Sequence, residues 1–288
     1  MTETTPTATA ASTREALLRG QARGYTLVRR VFVQLHEGDG TPRSRASMLA
    51  RFVHERKHRA LVLYLLLLGS WAGVQKLEQP PAAAVWVRAL RSDLPGALTW
   101  SPSTLSRTWA DLTDMGLVAR KREDRLVRIR PRREDGLADY EPPGGRKEFE
   151  HTYFALPDEF WTDEWFARLS LPALAVFLVI ARETQDAKEL RVTHQQLDDW
   201  YGINKRTAGN GLRQLEELDL LHIRKEVVAA PLSATGRTTH HWYSLTGAFG
   251  SSARKALQKR AEAEVRARAT GGPAGAPRPS ATSRGKAR

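Results

Sequence analysis

The chain has no cysteine, so disulfide bonds and thiolate metal sites are excluded. Its longest apolar run, residues 60–73, is shorter than the roughly 18 residues that cross a membrane. The N-terminus lacks the basic start and apolar stretch of a signal peptide. Phosphate-binding Gly-Lys-Ser/Thr loops, nucleophile elbows and acidic metal clusters are missing as well. We therefore expect a cytoplasmic protein that is not an enzyme, binds no cofactor or metal and has no membrane partner.

Acidic residues are too few to balance the basic ones. The chain has 45 Lys and Arg against 32 Asp and Glu, a formal net charge of +13. Residues 251–288 hold ten Lys and Arg against two Glu, so this tail accounts for most of the excess. A second concentration, residues 120–133, has eight Lys and Arg against Glu123 and Asp124. Such surfaces favour polyanionic partners.

One phrase of the sequence occurs twice. Residues 100–120, WSPSTLSRTWADLTDMGLVAR, and residues 203–223, INKRTAGNGLRQLEELDLLHI, follow the same pattern at an offset of 103 positions. Thr104 thus aligns with Thr207, and Trp109 aligns with Leu212. An apolar helix and a shorter helix are predicted before each copy, and a strand pair is predicted after it. The repeat therefore predicts two domains of the same design, each with its own core.

These patterns divide the chain into five parts. We expect a flexible N-terminal segment with room for one short helix, a first domain, a linker rich in charge, Gly and Pro, a second domain, and a basic tail that is part helical and then disordered. The N-terminal segment is residues 1–44, the first domain 45–133 and the linker 134–150. The second domain is residues 151–247, and the tail is 248–288.

The second copy of the phrase has the features of a DNA recognition helix. Gly202 suits a tight turn, and Asn204 is a good N-cap for the helix that follows. Ala208, Leu212 and Leu215 recur at helical spacing and predict a buried stripe. The opposite face presents Lys, Arg, Thr and Asn side chains, which fit the major groove of double-stranded DNA.

The first copy predicts the same helix with a different beginning. Ser101 is the N-cap, and Pro102 occupies the first helical position. Each helix is followed by strands with a charged or polar turn, near residues 123–125 and 233–237, so hairpins complete the pattern. The candidate DNA contacts are Ser103, Thr104, Ser106, Arg107, Lys121, Arg122, Arg125, Arg128, Lys205, Arg206, Thr207, Asn210, Arg213, Arg224, Lys225 and Arg237.

The phrase YGINKRTAGNGLRQLEELDLL, residues 201–221, resembles the recognition-helix segment of winged helix-turn-helix regulators of the GntR type. This sequence departs from the family pattern at Asp219, where the family usually has glycine, whereas the first copy keeps the glycine as Gly116. The resemblance implies a mainly α fold with small β-hairpin wings, organised as two winged helix-turn-helix domains in tandem. Residues 151–180 are also similar to the start of winged-helix domains in plasmid replication initiators.

These observations leave three functions open. The first is sequence-specific DNA binding by a bacterial, nucleoid-associated transcriptional regulator, either a monomer with tandem domains or a homodimer. The second is a plasmid replication or maintenance protein that binds origin repeats. The third is a zinc peptidase fused to a DNA-binding module, because HERKH, residues 54–58, has the spacing of a His-Glu-x-x-His motif. Cations at both middle positions disfavour a metal, so we expect none.

Overall fold

The computed structural model describes residues 7–36, 42–43, 46–123, 125–144 and 148–270. About half of the chain is helical and the strands form small antiparallel sheets, as the sequence predicts. The helices are α1 (Ala10–Leu18), α2 (Met48–His54), α3 (His58–Val74), α4 (Ala83–Leu90), α5 (Pro102–Asp114), α6 (Glu159–Thr162), α7 (Trp165–Arg168), α8 (Leu171–Glu183), α9 (His194–Tyr201), α10 (Lys205–Glu217) and α11 (Ser251–Thr270). The strands are β1 (Tyr25–Arg29), β2 (Leu35–His36), β3 (Pro42–Arg43), β4 (Val118–Glu123), β5 (Leu126–Pro131), β6 (Tyr153–Pro157), β7 (Leu190–Arg191), β8 (Leu221–Ala229) and β9 (Arg237–Leu245).

One continuous hydrophobic core joins the two copies of the repeat. α3 and α8 lie at its centre and are buried along most of their lengths, as expected of helices that are apolar on all sides. α2, from the first copy, packs directly against α8 of the second. The two separate cores predicted from the sequence are therefore a single one. None of the described helices is both long and apolar enough to cross a membrane.

Residues 10–36 pack on this core, whereas the sequence predicts a flexible segment there with room for one short helix, which α1 provides. β1 pairs antiparallel with β6, with Tyr25 opposite Pro157 and Arg29 opposite Tyr153. Gly20 approaches α3 so closely that a Cβ atom on it would lie 2.2 Å from the Cα of Gly73. The strand was missed because its partner is more than 120 residues away in the sequence. Residues 1–6 lie outside the described part of the chain.

Part of the predicted linker is also fixed to the core. The side chains of Arg29 and Glu134 form an ion pair at 2.5 Å, and each is at most 1% exposed. The Arg29 guanidinium also donates to the backbone carbonyls of Glu141 and Glu150. Arg29 thereby holds three points of the connecting segment against β1. The composition of residues 134–150 indicates a loop correctly, but it gives no sign of these buried contacts.

The repeat is preserved in the backbone. α5 and α10 both have thirteen residues, and each ends two residues before a left-handed position. That position is Gly116, with φ +76°, in the first copy and Asp219, with φ +55°, in the second. Antiparallel pairs follow in both copies, β4 with β5 and β8 with β9. The second copy adds β7 to its hairpin, giving a sheet with strand order β7-β9-β8.

α11 begins inside the molecule, although its sequence predicts a solvated basic helix. Arg254 is 1% exposed, and its guanidinium donates to the carbonyls of Phe249 and Ala181 at 2.9 and 2.8 Å. It also donates to the Thr184 hydroxyl at 2.8 Å, so it caps the end of α8. Most of the remaining α11 side chains are exposed or half-buried. Residues 271–288, predicted to be disordered, lie outside the described residues.

Candidate nucleic-acid interface

α10 is held on α8 by its own local sequence. Gly202, with φ +64°, ends α9, and the Asn204 side chain then accepts a hydrogen bond from the Thr207 amide at 2.9 Å. Ala208 and Leu215 are fully buried, as predicted. Gly211 lies against the start of α8, where an added Cβ would be 2.5 Å from the Pro172 carbonyl oxygen. This contact fixes which face of α10 points outward.

The outward face of α10 has cations first and carboxylates last. Lys205 and Arg206 are exposed in the first turn, whereas Glu216 and Glu217 are exposed in the last. The helix dipole favours the opposite order, with acids at the N-terminus and bases at the C-terminus. The stability of the helix therefore does not explain this arrangement.

α5 has the same design. Ser101 accepts a hydrogen bond from the Thr104 amide at 3.1 Å, and Pro102 occupies the first turn. Trp109 is buried and packs edge-on against Trp86, with 5.5 Å between ring centroids. Arg107 is exposed in the N-terminal half, and Asp114 is exposed at the end of the helix. Both helices thus have no acidic residue in the first turn and no basic residue in the last.

Most of the predicted contact residues lie on the surface. The exposed ones are Ser103, Ser106, Arg107, Lys121, Arg122, Arg125, Lys205, Arg206, Asn210, Arg213, Arg224, Lys225 and Arg237. Thr104 and Thr207 are half-buried, and the Thr104 hydroxyl is hydrogen-bonded to that of Ser101. These two threonines therefore lie at the borders of the outward faces.

The structure corrects the prediction for Arg128. Its side chain is only 15% exposed and forms an ion pair with Glu123 at 2.8 Å. Its guanidinium also donates to the carbonyls of Glu78, at 2.7 Å, and Leu77, at 3.3 Å. Arg128 thus attaches β5 to the segment after α3, and its donors are directed at the protein rather than at a ligand.

Arg224 is exposed, as predicted, but it already has partners within the protein. Its guanidinium donates to both carboxylate oxygens of Glu189 and lies over the Trp242 ring, 4.9 Å from the centroid. The hydrogen bond to Arg224 lowers the pKa of Glu189 and raises that of Arg224. Arg224 therefore already has a carboxylate partner at the surface, which competes with any other anion. Glu189 precedes it by 35 residues, so the sequence near Arg224 could not reveal the pair.

The HERKH segment does not have the helical form that the zinc hypothesis requires. α2 ends at His54, Arg56 has a left-handed φ of +55°, and α3 begins at His58. The two histidines therefore belong to different helices. Burial and the neighbouring Arg59 lower the pKa of His58 to about 4. Within the residues that the structure describes, no group of three or more His, Asp and Glu side chains has the arrangement of a metal site.

HERKH instead lies beside α10, a neighbour that its sequence does not reveal. His54 and Arg56 line one groove together with Gly202, Asn204 and Thr207 at the start of that helix. The only sequence feature of HERKH that points to an anion-binding surface is its basic character. The spacing of its two histidines indicates a metal site instead.

No family model matches the chain, and no curated protein or solved structure is significantly similar to it. The function of the chain must therefore be inferred from its own residues.

Proposed function

We propose that the chain binds double-stranded DNA sequence-specifically, with α5 and α10 as the recognition helices of two winged helix-turn-helix domains in tandem. The observation that carries the proposal is the charge order on these two helices. Both expose cations or hydroxyls in the N-terminal half and carboxylates at the end, against the preference of the helix dipole. Phosphate groups at the N-terminal halves would compensate for this arrangement.

The chemistry of the outward faces fits base readout. Arg107, Arg206 and Asn210 have side chains that form bidentate contacts with guanine or adenine in the major groove. Each helix begins at an N-cap and packs its apolar face on the core, which leaves its polar face outward for a groove. The hairpins β4–β5 and β8–β9 would then lie near the sugar-phosphate backbone, with Lys121, Lys225 and Arg237 as phosphate contacts.

Transcriptional regulation is the role that we propose for this binding. Mapping of occupied sites in the cell tests the role: sites that overlap promoters support it. Iterated sites at a replication origin would assign the chain to replication initiation instead.

The DNA-binding proposal is tested by selecting a preferred duplex from a random library with the full chain. The double variant Lys205→Ala/Arg206→Ala should lose at least about tenfold in affinity for that duplex, because each base contact contributes roughly 1–3 kcal/mol. Its affinity for random DNA should fall much less. Fluorescence anisotropy at fixed salt measures both quantities.

Lys259→Ala/Arg260→Ala is the matched control, since it removes the same charge from exposed positions on α11. This control should weaken binding to both duplexes slightly and equally. Equal losses of specific affinity in the two double variants would contradict the proposal, and so would failure of the unaltered chain to select any sequence.

A further inference from the structure

The turn between α2 and α3 lies between the two proposed recognition helices. This turn, residues 55–57, starts where the Glu55 amide donates to the Arg51 carbonyl and ends where the Lys57 amide donates to the Phe52 carbonyl, both at 2.9 Å. Arg56, at its centre, has the left-handed φ of +55° and is exposed. Glycine would adopt this conformation without strain. The arginine side chain is thus present despite an unfavourable backbone geometry.

On one side the turn is tied to α5. The Lys57 ammonium donates to the Asp111 carboxylate at 2.7 Å, and the Arg59 guanidinium donates to the Thr99 carbonyl at 3.3 Å. Asp111 lies four residues beyond Arg107, so both are on the same face of the helix. The turn therefore touches α5 at Asp111, on the face that also carries Arg107.

On the other side the turn meets the start of α10. The groove described above is lined by Arg56 and His54 on one side and by Asn204 and Thr207 on the other. Directly after Asn204 in the sequence come the exposed cations Lys205 and Arg206. α2 is held there because it packs against α8, the helix on which α10 itself rests. Three residues of chain thus connect the neighbourhood of one recognition helix with that of the other.

Two carboxylates next to the turn already have partners. Glu55 forms an ion pair with Arg51 at 2.6 Å, and Asp111 forms one with Lys57. The Asp111 hydrogen bond raises the pKa of Lys57, with further contributions from the charges of Glu55 and Asp114. In the described part of the chain, the Arg56 guanidinium has no hydrogen-bond or ion-pair partner, and it is exposed. The free positive charge is therefore at the centre of the turn.

We propose that Arg56, assisted by His54, is a third DNA contact, made to backbone phosphates between the two base-contacting helices. This inference depends on the proposed DNA binding and extends it: α5, the turn and α10 would occupy one uninterrupted stretch of duplex. A guanidinium binds a phosphate through charge-assisted hydrogen bonds. Such contacts position a protein on the duplex and carry no base information.

Arg56→Gly tests the contact, because glycine suits the left-handed position and the fold should be retained or stabilised. The variant should bind the selected duplex about tenfold more weakly at low salt. The slope of log affinity against log salt should fall by about 0.9, the value for one phosphate contact. The preferred base sequence should stay the same. Arg56→Gln, which keeps the Cβ and the side-chain stem, should show the same losses, and Arg56→Lys should recover most of the affinity.

A chemically altered duplex locates the contact. Neutral methylphosphonates at the backbone between the two contacted grooves should weaken binding by the unaltered chain about as much as Arg56→Gly does. On this duplex Arg56→Gly should cause little additional loss. A duplex with methylphosphonates outside the contacted grooves serves as the control. On that duplex Arg56→Gly should still weaken binding as much as it does on unmodified DNA.

The outcomes separate this contact from the proposed function. Arg56→Gly could bind the selected duplex with the affinity and salt slope of the unaltered chain, while Lys205→Ala/Arg206→Ala binds it clearly more weakly. That result would overturn the Arg56 contact and leave the proposed DNA recognition intact. A changed base preference in Arg56→Gly would overturn the assignment to phosphate. An unaltered chain that selects no sequence would overturn the proposed function and the Arg56 contact together.

Discussion

Asp158 is a carboxylic acid held in a poorly solvated place at the end of β6. Its amide donates to the Gly24 carbonyl at 3.0 Å, and its side chain accepts a hydrogen bond from the Gln21 amide group at 2.9 Å. Burial, with a smaller contribution from Glu159, raises its pKa to about 7, against the usual 3.8. The folded protein therefore binds a proton at this residue more tightly than the unfolded chain does.

A pH dependence of stability follows. Because the folded-state pKa is the higher one, the contribution of Asp158 is favourable below pH 4 and is lost as the pH rises through 7. Between pH 4 and 8 the unaltered chain should lose about 2 kcal/mol of unfolding free energy relative to Asp158→Asn, after allowance for partial exposure. Urea titrations at several pH values measure the difference. His58 is present in both proteins, so its contribution to the pH dependence cancels in the difference. If the unfolding free energies of the two proteins change in parallel with pH, the raised pKa assigned to Asp158 is wrong.

At the scale of the helix, α10 contains two glycines with opposite surroundings. A Cβ on Gly211 would lie 2.5 Å from the Pro172 carbonyl oxygen and 2.9 Å from a Val176 methyl, so backbone would have to move. A Cβ on Gly209 would meet only the His194 ring, at an ordinary 3.7 Å. Gly211 is thus required by the α8–α10 contact, whereas Gly209 is merely a poor helix former.

These surroundings predict opposite effects of the same substitution. Gly211→Ala should lower the unfolding free energy by about 1–3 kcal/mol, because overpacking separates α10 from α8. Gly209→Ala should raise it by about 0.5–1 kcal/mol through helix propensity. Chemical denaturation of the two variants measures both changes. If both alanines stabilise the protein, the close packing of α10 on α8 is wrong.

The sequence predicts elements well where local chemistry decides them. Ser101 and Asn204 begin their helices as N-caps, and the offset of the repeat correctly pairs Gly116 with Asp219 at a left-handed position. The mainly α class with small antiparallel sheets follows from the same local patterns.

The sequence fails where a distant residue decides the structure. Arg128 and Arg224 are basic residues in predicted strands. Besides the nearby Glu123, Arg128 binds backbone carbonyls about 50 residues earlier in the chain, and Arg224 binds Glu189. HERKH has the spacing of one helix face, yet the left-handed Arg56 breaks the helix. Spacing along the chain therefore predicted the candidate interface only in part.

At the scale of the whole molecule, one buried ion pair connects the N-terminal segment with the chain between the two copies of the repeat. Arg29 reaches Glu134 as well as the carbonyls of Glu141 and Glu150, and its guanidinium lies 5.4 Å from the centre of the Tyr140 ring. Removal of one partner leaves the other charge buried without compensation.

A double-mutant cycle should reveal this dependence. Arg29→Met and Glu134→Leu should each lower the unfolding free energy by about 3–5 kcal/mol. The double variant should lose clearly less than the sum of the two, because neither buried charge remains. Urea denaturation at pH 7 measures all four proteins. Additive losses would mean that the two side chains act independently.

The pairing of β1 with β6 has a consequence for synthesis of the chain. Tyr25–Arg29 leaves the ribosome long before Tyr153–Pro157, its hydrogen-bonding partner, has been made. At ordinary translation rates that interval is roughly 6–25 s. During this time residues 25–29 lack the strand that pairs with them in the folded protein, and unpaired strand edges are a known route to aggregation. The first half of the protein cannot mature until much of the second half exists.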